Sequence, residues 1–205
     1  MPEQYFPYGE NELRWLSERD PALGAYIHRM EPPRRRLLPD LYSGLIYYIL
    51  GQQISAAAAA TEWNRFQKAF DPVTPEHIAS IPEEEIQQTG TTFRRAGYIR
   101  AISRQAARGD LDLAALSAFP DDAFCRELVK LPGVGRWTAE MLLIHVLQRP
   151  DVISWKDAAV LRGMKKVYGL QEMSRETFEQ YRMLYSPYAT TASIYFWAIA
   201  AMKGV

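Results

Sequence analysis

This chain of 205 residues is short of several things, and each shortage excludes something. It has one cysteine, Cys125, so no intramolecular disulfide can form and no four-cysteine iron–sulfur cluster can be held. A reducing, cytoplasmic setting fits that usage. No apolar run is long enough to cross a bilayer and no signal-peptide pattern is present, so no membrane is expected as a partner. Net charge is zero, with 24 Lys plus Arg against 24 Asp plus Glu, which argues against a protein that holds polyanions by bulk charge alone. Internal repeats, low-complexity linkers and convincing period-two alternation are all missing, which leaves no basis for solenoids, disordered linkers or sheets. His28, His77 and His145 do not converge in any evident way, so no metal site is expected.

What remains is an ordinary globular composition, 48% hydrophobic and 23% charged, in a chain long enough for one domain or two small ones. Nearly every segment reads as helix, so the expected fold is all-α. Asp40 is a candidate N-cap for residues 41–50, and residues 55–70 form a long alanine-rich helix. Thr74 is a cap followed by proline at the first helical position. Residues 92–108 are amphipathic, with Ala96, Ile99 and Ile102 on one face and arginines on the other. Further helices are expected over 121–130, 136–148, 157–168, 174–185 and 190–202. Charge is uneven: Arg34-Arg35-Arg36, residues 94–108 and Lys165-Lys166 are basic, and Glu83-Glu84-Glu85 is acidic. Taken singly, each run reads as a solvated helix face.

The most informative stretch is Leu131-Pro132-Gly133-Val134-Gly135-Arg136-Trp137-Thr138-Ala139. Two glycines and a proline break the helical pattern between two apolar helical runs. They allow a hairpin whose backbone N–H groups are expected to point outward at the start of a helix, which is an anion site. Such a hairpin grips a phosphodiester without reading bases. About twenty residues on stands Asp157, a carboxylate that is either a helix N-cap, a catalytic group, or both. Asp151 is the competing carboxylate and reads as a loop residue.

The segment 131–169 resembles the helix-hairpin-helix superfamily of DNA glycosylases and is most similar to its alkylpurine branch, the 3-methyladenine DNA glycosylase II type. Two further stretches carry the resemblance. One is Ile49-Leu50-Gly51-Gln52-Gln53-Ile54-Ser55 with the alanine-rich helix after it, and the other is Phe93-Arg94-Arg95-Ala96-Gly97-Tyr98-Ile99. The resemblance implies two helical subdomains with a central cleft. One, residues 41–149, would contain the helix-hairpin-helix. The other, 1–40 with 150–205, would carry the catalytic aspartate. Relatives often bear an extra N-terminal β-rich domain, for which this chain is too short.

The resemblance also implies roles. Asp157 would stabilise the positive charge that develops on the sugar as an N-glycosidic bond breaks, and orient or deprotonate water. Trp137 stands where the bifunctional branch holds a Schiff-base lysine, so a monofunctional, water-using enzyme is implied. Trp137, Trp155, Met141 and Tyr47 would line the pocket for a flipped, electron-poor base. Gln53 would enter the gap that base leaves. Gly133, Val134, Gly135, Arg136, Thr138 and Lys156 would contact the DNA backbone, and Lys156 could instead keep Asp157 ionised. The partner would be duplex DNA carrying a damaged base, met by a monomer without an organic cofactor. A monovalent cation at the hairpin carbonyls is expected only with DNA bound. The chain departs from the family pattern in three places. Ser154-Trp155-Lys156 stands where a proline usually precedes the aspartate, Ala158 replaces a large residue after it, and Met141 stands where the branch places an aromatic. The alternatives are a non-catalytic DNA-binding module, and a glycosylase for oxidised or mismatched bases.

Overall fold

The computed structural model describes residues 3–202. Thirteen α-helices fill it, and among the described residues the one extended pairing is an isolated antiparallel bridge between Tyr5 and Arg36. The chain divides into two compact units. One is Leu38–Leu142, and the other combines Met1–Leu37 with Leu143–Val205.

The continuous unit is built around α3 (Leu41–Leu50), where every residue except Tyr47 is buried. A helix apolar on all sides belongs at the centre of its unit. Around it lie α4 (Ala56–Ala69), α5 (Pro75–Ser80), α6 (Glu83–Gln88), α7 (Phe93–Ala107), α8 (Leu113–Ser117) and α9 (Asp121–Leu128). Many ends are set by the residues that the sequence marks. Asp40 accepts from the Ser43 amide at 2.8 Å, Ser55 from Ala58 at 3.2 Å, Thr74 from His77 at 3.3 Å and Thr92 from Arg95 at 3.3 Å. Each such cap contributes about 1 kcal/mol. On α7, Ala96, Ile99 and Ile102 face the core, and the buried Tyr42 hydroxyl meets Ser103 Oγ at 2.7 Å. The short α6 and α8 escape sequence reading because five or six residues do not display a 3.6 period.

The discontinuous unit contains α1 (Glu10–Arg19), α2 (Pro21–Ile27), α11 (Ala158–Tyr168), α12 (Arg175–Tyr185) and α13 (Ala189–Ala201). Its core includes Leu16, Leu23, Met164, Phe178 and Phe196, all essentially inaccessible. α11 and α13 approach so closely that a Cβ on Gly163 would stand 2.2 Å from the Phe196 carbonyl oxygen. Lys166 Nζ donates to the carbonyls of Ile199, Ala200 and Met202, closing the C-terminal end of α13 with a cation. Asp20, 4% exposed, caps α2 through Leu23 N and accepts from Tyr168, whose hydroxyl also meets that of Tyr185. A buried carboxylate requires such donors.

The connecting helix α10 (Arg136–His145) crosses the second boundary, which therefore falls at Leu142–Leu143 within it. The sequence places a boundary at Arg149. The residues between belong with the discontinuous unit because His145 stacks on Trp197 at 5.6 Å and the Arg149 carbonyl accepts from Thr190 Oγ1 at 2.7 Å. The helix ends at His145, short of the expected 148, where Gln148 takes a left-handed φ of 54° and the Arg149 amide folds back to Leu143 O at 2.9 Å.

Candidate functional site

Most of the residues that the sequence singles out fall in two groups, one in each unit. The first is the hairpin between α9 and α10. Leu131 to Val134 form a turn closed by the Val134 amide on Leu131 O at 3.2 Å, with Pro132 and then Gly133 at its centre and Gly133 at φ 77°. Proline followed by a residue in the left-handed region is the type II pattern. Gly133 is required twice over, because a Cβ there would also meet the Tyr98 ring at 2.2 Å. The sequence predicts an outward amide at Val134 as well. It is closed within the turn, and the Val134 side chain, 6% exposed, is an anchor.

The outward donors begin one residue later. The first helical bond of α10 runs from Ala139 N to Gly135 O at 3.1 Å. The amides of Gly135, Arg136 and Thr138 therefore have no acceptor within the helix. Gly135 is exposed, with no atom within 4 Å of where its Cβ would be, so a ligand oxygen can approach the helix end. The side chains next to it are otherwise occupied. Arg136 lies on Asp122 at 2.9 Å and on Glu140 at 2.8 Å, and Thr138 is 3% exposed. At Arg136 and Thr138 the amides, rather than the side chains, are therefore the groups left without a partner in the helix. The Arg136 side chain is compensated by a carboxylate from α9 that spacing does not reveal.

Trp137, half-buried on α10, meets Tyr48 edge-on at 5.6 Å. Tyr48 meets Tyr47 at 5.3 Å, and Tyr47 meets Trp63 at 6.1 Å. Trp137 and Tyr47 thus belong to one chain of perpendicular rings joined through Tyr48, a geometry favoured by the ring quadrupoles. Met141 follows Trp137 by one turn and is 2% exposed. Gln53 is exposed and holds φ 59°. Beside it, Gln52 Nε2 donates to Gly133 O at 2.6 Å, and Arg95 donates to Gln52 O. In the sequence, Gln52, Arg95 and Tyr98 stand only within the stretches that resemble the family. No periodicity signals their convergence on one turn.

The second group is the loop before α11. It is fastened to α13: Val152 N donates to Thr190 Oγ1 at 3.0 Å, and Ser193 Oγ donates to Val152 O at 3.0 Å. Ser154, 1% exposed, accepts the Lys156 amide on its hydroxyl at 3.2 Å and the Asp157 amide on its carbonyl at 3.2 Å. This hydroxyl-closed turn stands where the family pattern carries a proline. It delivers Asp157, 7% exposed, to the N-terminus of α11, where Oδ1 accepts from Ala159 N at 2.8 Å and Val160 N at 3.0 Å. Asp157 is therefore a helix cap whose carboxylate lies in a fixed orientation. Asp151 is held by Ser186 Oγ at 2.6 Å and Ala189 N at 3.3 Å, a structural role at the start of α13.

Trp155, expected to line the pocket, is half-buried. Its ring packs on the discontinuous unit's core, edge-on to Phe178 at 5.2 Å, with the Arg175 guanidinium over it at 5.6 Å. Those neighbours support a packing role. Lys156 is exposed. Among the described residues no three His, Cys, Asp or Glu side chains are grouped to hold a metal ion, and no helix is long and apolar enough to cross a membrane.

A glycine hairpin that opens a helix and, some twenty residues on, an oriented carboxylate at a helix start are the features expected of a DNA-repair fold. The chain belongs to the HhH-GPD superfamily of base excision DNA repair proteins, whose family model matches residues 46–187. It is similar to DNA-3-methyladenine glycosylase 1 of Schizosaccharomyces pombe, 25% identical over 193 residues, which cover 92% of this chain and 85% of that one. It is also similar to YfjP of Bacillus subtilis, 28% identical over 167 residues, which cover 77% of this chain and 58% of that one. The crystal structure of a DNA-3-methyladenine glycosidase from Bacillus halodurans superposes with a TM-score of 0.79 at 28% identity, covering 97% of this chain and 93% of that one.

Proposed function

We propose that this protein is a monofunctional DNA glycosylase acting on alkylated purines, 3-methyladenine and 7-methylguanine first, with hypoxanthine and ethenoadenine as further candidates. The observation that carries the reading is Asp157, largely buried, fixed by two helix amides and delivered by a loop fastened to α13. In the proposed reaction the C1′–N bond breaks and its electron pair leaves with the base. The sugar becomes oxocarbenium-like, and the carboxylate stabilises that charge while water adds at C1′. The products are a free base and an abasic site. A base that carries positive charge is already a good leaving group and is drawn to aromatic faces such as that of Trp137.

The same reading makes the enzyme water-using. Trp137 cannot form a Schiff base. Of the two lysines nearest the site in sequence, Lys130 is paired with Glu127 at 2.6 Å and Lys156 is exposed beside Asp157. Duplex DNA would be held through the Gly135 end of α10, and the enzyme would act as a monomer in the cytoplasm. Burial pushes the Cys125 thiol up to about 11, which suits an inert residue. No organic cofactor is needed. A monovalent cation at the hairpin would use second lone pairs of carbonyls such as Leu131 O, and would add positive charge beside the phosphate.

The test is base release from duplexes carrying methylated, deaminated and oxidised bases, measured side by side. The methylated purines should be released fastest. Tight duplex binding with no release from any of them would instead make the protein a binding module. Preferred release of an oxidised base would overturn the substrate class.

A further inference from the structure

Gln53 is the residue proposed to enter the duplex, and its backbone is held at φ 59°. For a residue with a Cβ this left-handed conformation is unfavourable by about 1 kcal/mol. Such strain persists only where the surroundings over-determine it. The surroundings act here through the carbonyl and the side chain of residue 52. Its carbonyl, part of the peptide that leads into Gln53, accepts from Arg95. Its side-chain Nε2 donates to Gly133 O at 2.6 Å. Arg95 is itself 8% exposed and lies 3.9 Å from the Glu62 carboxylate. The peptide that presents Gly133 O is fixed at its other end, because its N–H is that of Val134, bonded to Leu131 O at 3.2 Å.

The geometry points to Gln52 and Arg95 as positioning residues that join the inserting side chain and the phosphate-gripping hairpin into one rigid piece. This rests on the glycosylase reading. Gln52 does not touch the DNA in this account. It sets the register between two elements, 81 positions apart in sequence, that do. A hairpin seated on its phosphate then leaves the Gln53 side chain one direction to take, and the strained φ is the mark of that constraint.

Equilibrium binding to a duplex containing a tetrahydrofuran abasic analogue, relative to the undamaged duplex, tests it. The ratio is measured for the unaltered protein, Gln53→Ala, Gln52→Met and the double variant. Gln52→Met keeps the volume and loses the donor. It should lower the ratio about tenfold, the upper scale for one lost hydrogen bond, with undamaged-duplex affinity little changed. The double variant should be no worse than the weaker single one, since both act on one event. A merely structural Gln52 would lower the melting temperature and weaken both duplexes alike, and that result overturns the inference. Should Gln52→Met fail to fold, Arg95→Lys is read in the same assay. It keeps the charge near Glu62 and loses the guanidinium fork, so an unchanged ratio again overturns the proposal. If the unaltered protein shows no preference for the abasic duplex, the glycosylase reading itself fails and takes the inference with it. If Gln53→Ala keeps the ratio, the inserting residue is misplaced and the inference falls. If Gln53→Ala loses the ratio while Gln52→Met and Arg95→Lys keep it, the reading stands and the inference alone is wrong.

Discussion

The N-termini of α10 and α11 are built in opposite ways. α10 begins at Gly135, which has no side chain to turn back on the helix, and the space around it is open. α11 begins at Asp157, whose own Oδ1 takes the Ala159 and Val160 amides. Both ends carry the positive pole of a helix. One leaves it for an external anion, and the other neutralises it with an internal one. An open end can bind the same group wherever it recurs, as phosphates do along a duplex. A closed end binds nothing further but fixes a carboxylate in space. Under the proposed function the difference separates docking from chemistry, and it can be attacked at either end.

The largest effect is expected at the closed end. Asp157→Asn keeps an oxygen for the two amides and removes the charge. Base release should fall by at least about a hundredfold, on the scale of 3 kcal/mol for a lost electrostatic group, while abasic-duplex binding stays near that of the unaltered protein. Single-turnover release measured beside a binding isotherm reads both. Turnover close to normal would remove Asp157 from the mechanism.

Next comes the conversion of the open end into a closed one. Gly135→Asp places a carboxylate where α11 has its own, in space that accommodates it. Affinity for damaged and undamaged duplexes should fall together by about tenfold or more, as an internal anion displaces phosphate. Stability should rise by a few tenths of a kcal/mol, because aspartate is the better cap. Gly133→Asp is not an equivalent test. Its Cβ would strike Tyr98 and its φ of 77° is strained, so it would deform the turn itself. If Gly135→Asp binds both duplexes normally, α10 is not the anchor.

Both ends were partly legible in the sequence. Asp157 sits in a cap position and the Pro132-Gly133 pair specifies its turn, because caps and turns depend on a few adjacent residues. The same locality makes the caps Asp40 and Thr74 readable, while Ser55 and Thr92 read only as the first residues of their helices. Features made by distant segments were not. Spacing does not reveal that Asp122 lies against Arg136, nor that Trp155 packs on Phe178 with Arg175 over its ring. Gly163 reads as an ordinary helical glycine, and only the position of Phe196 shows why a side chain is excluded. Gly163→Ala should lower stability by about 1–3 kcal/mol, the range for overpacking against neighbours that cannot yield. Denaturant unfolding measures it. An unchanged midpoint would mean that α11, and with it Asp157, is less firmly seated than the approach of α13 indicates.

The smallest effect isolates the cap from the charge. Asp157→Ala and Asp157→Asn remove the same carboxylate, so their losses in base release should match. Their stabilities should not. Asparagine still offers Oδ1 to the Ala159 and Val160 amides, which otherwise lie 2.8 Å and 3.0 Å from the present acceptor. Alanine leaves both without it, and should be less stable than the asparagine variant by about 1 kcal/mol. Gly135→Ala is the control at the other helix. There is no side-chain cap there to lose, so any change should be a few tenths of a kcal/mol, the modest preference for glycine over alanine at that position. Equal stability of the two Asp157 variants would show that water or a rearranged turn replaces the cap without loss. The closed end of α11 would then be a by-product of where the carboxylate must stand, and the contrast with α10 would rest on chemistry alone.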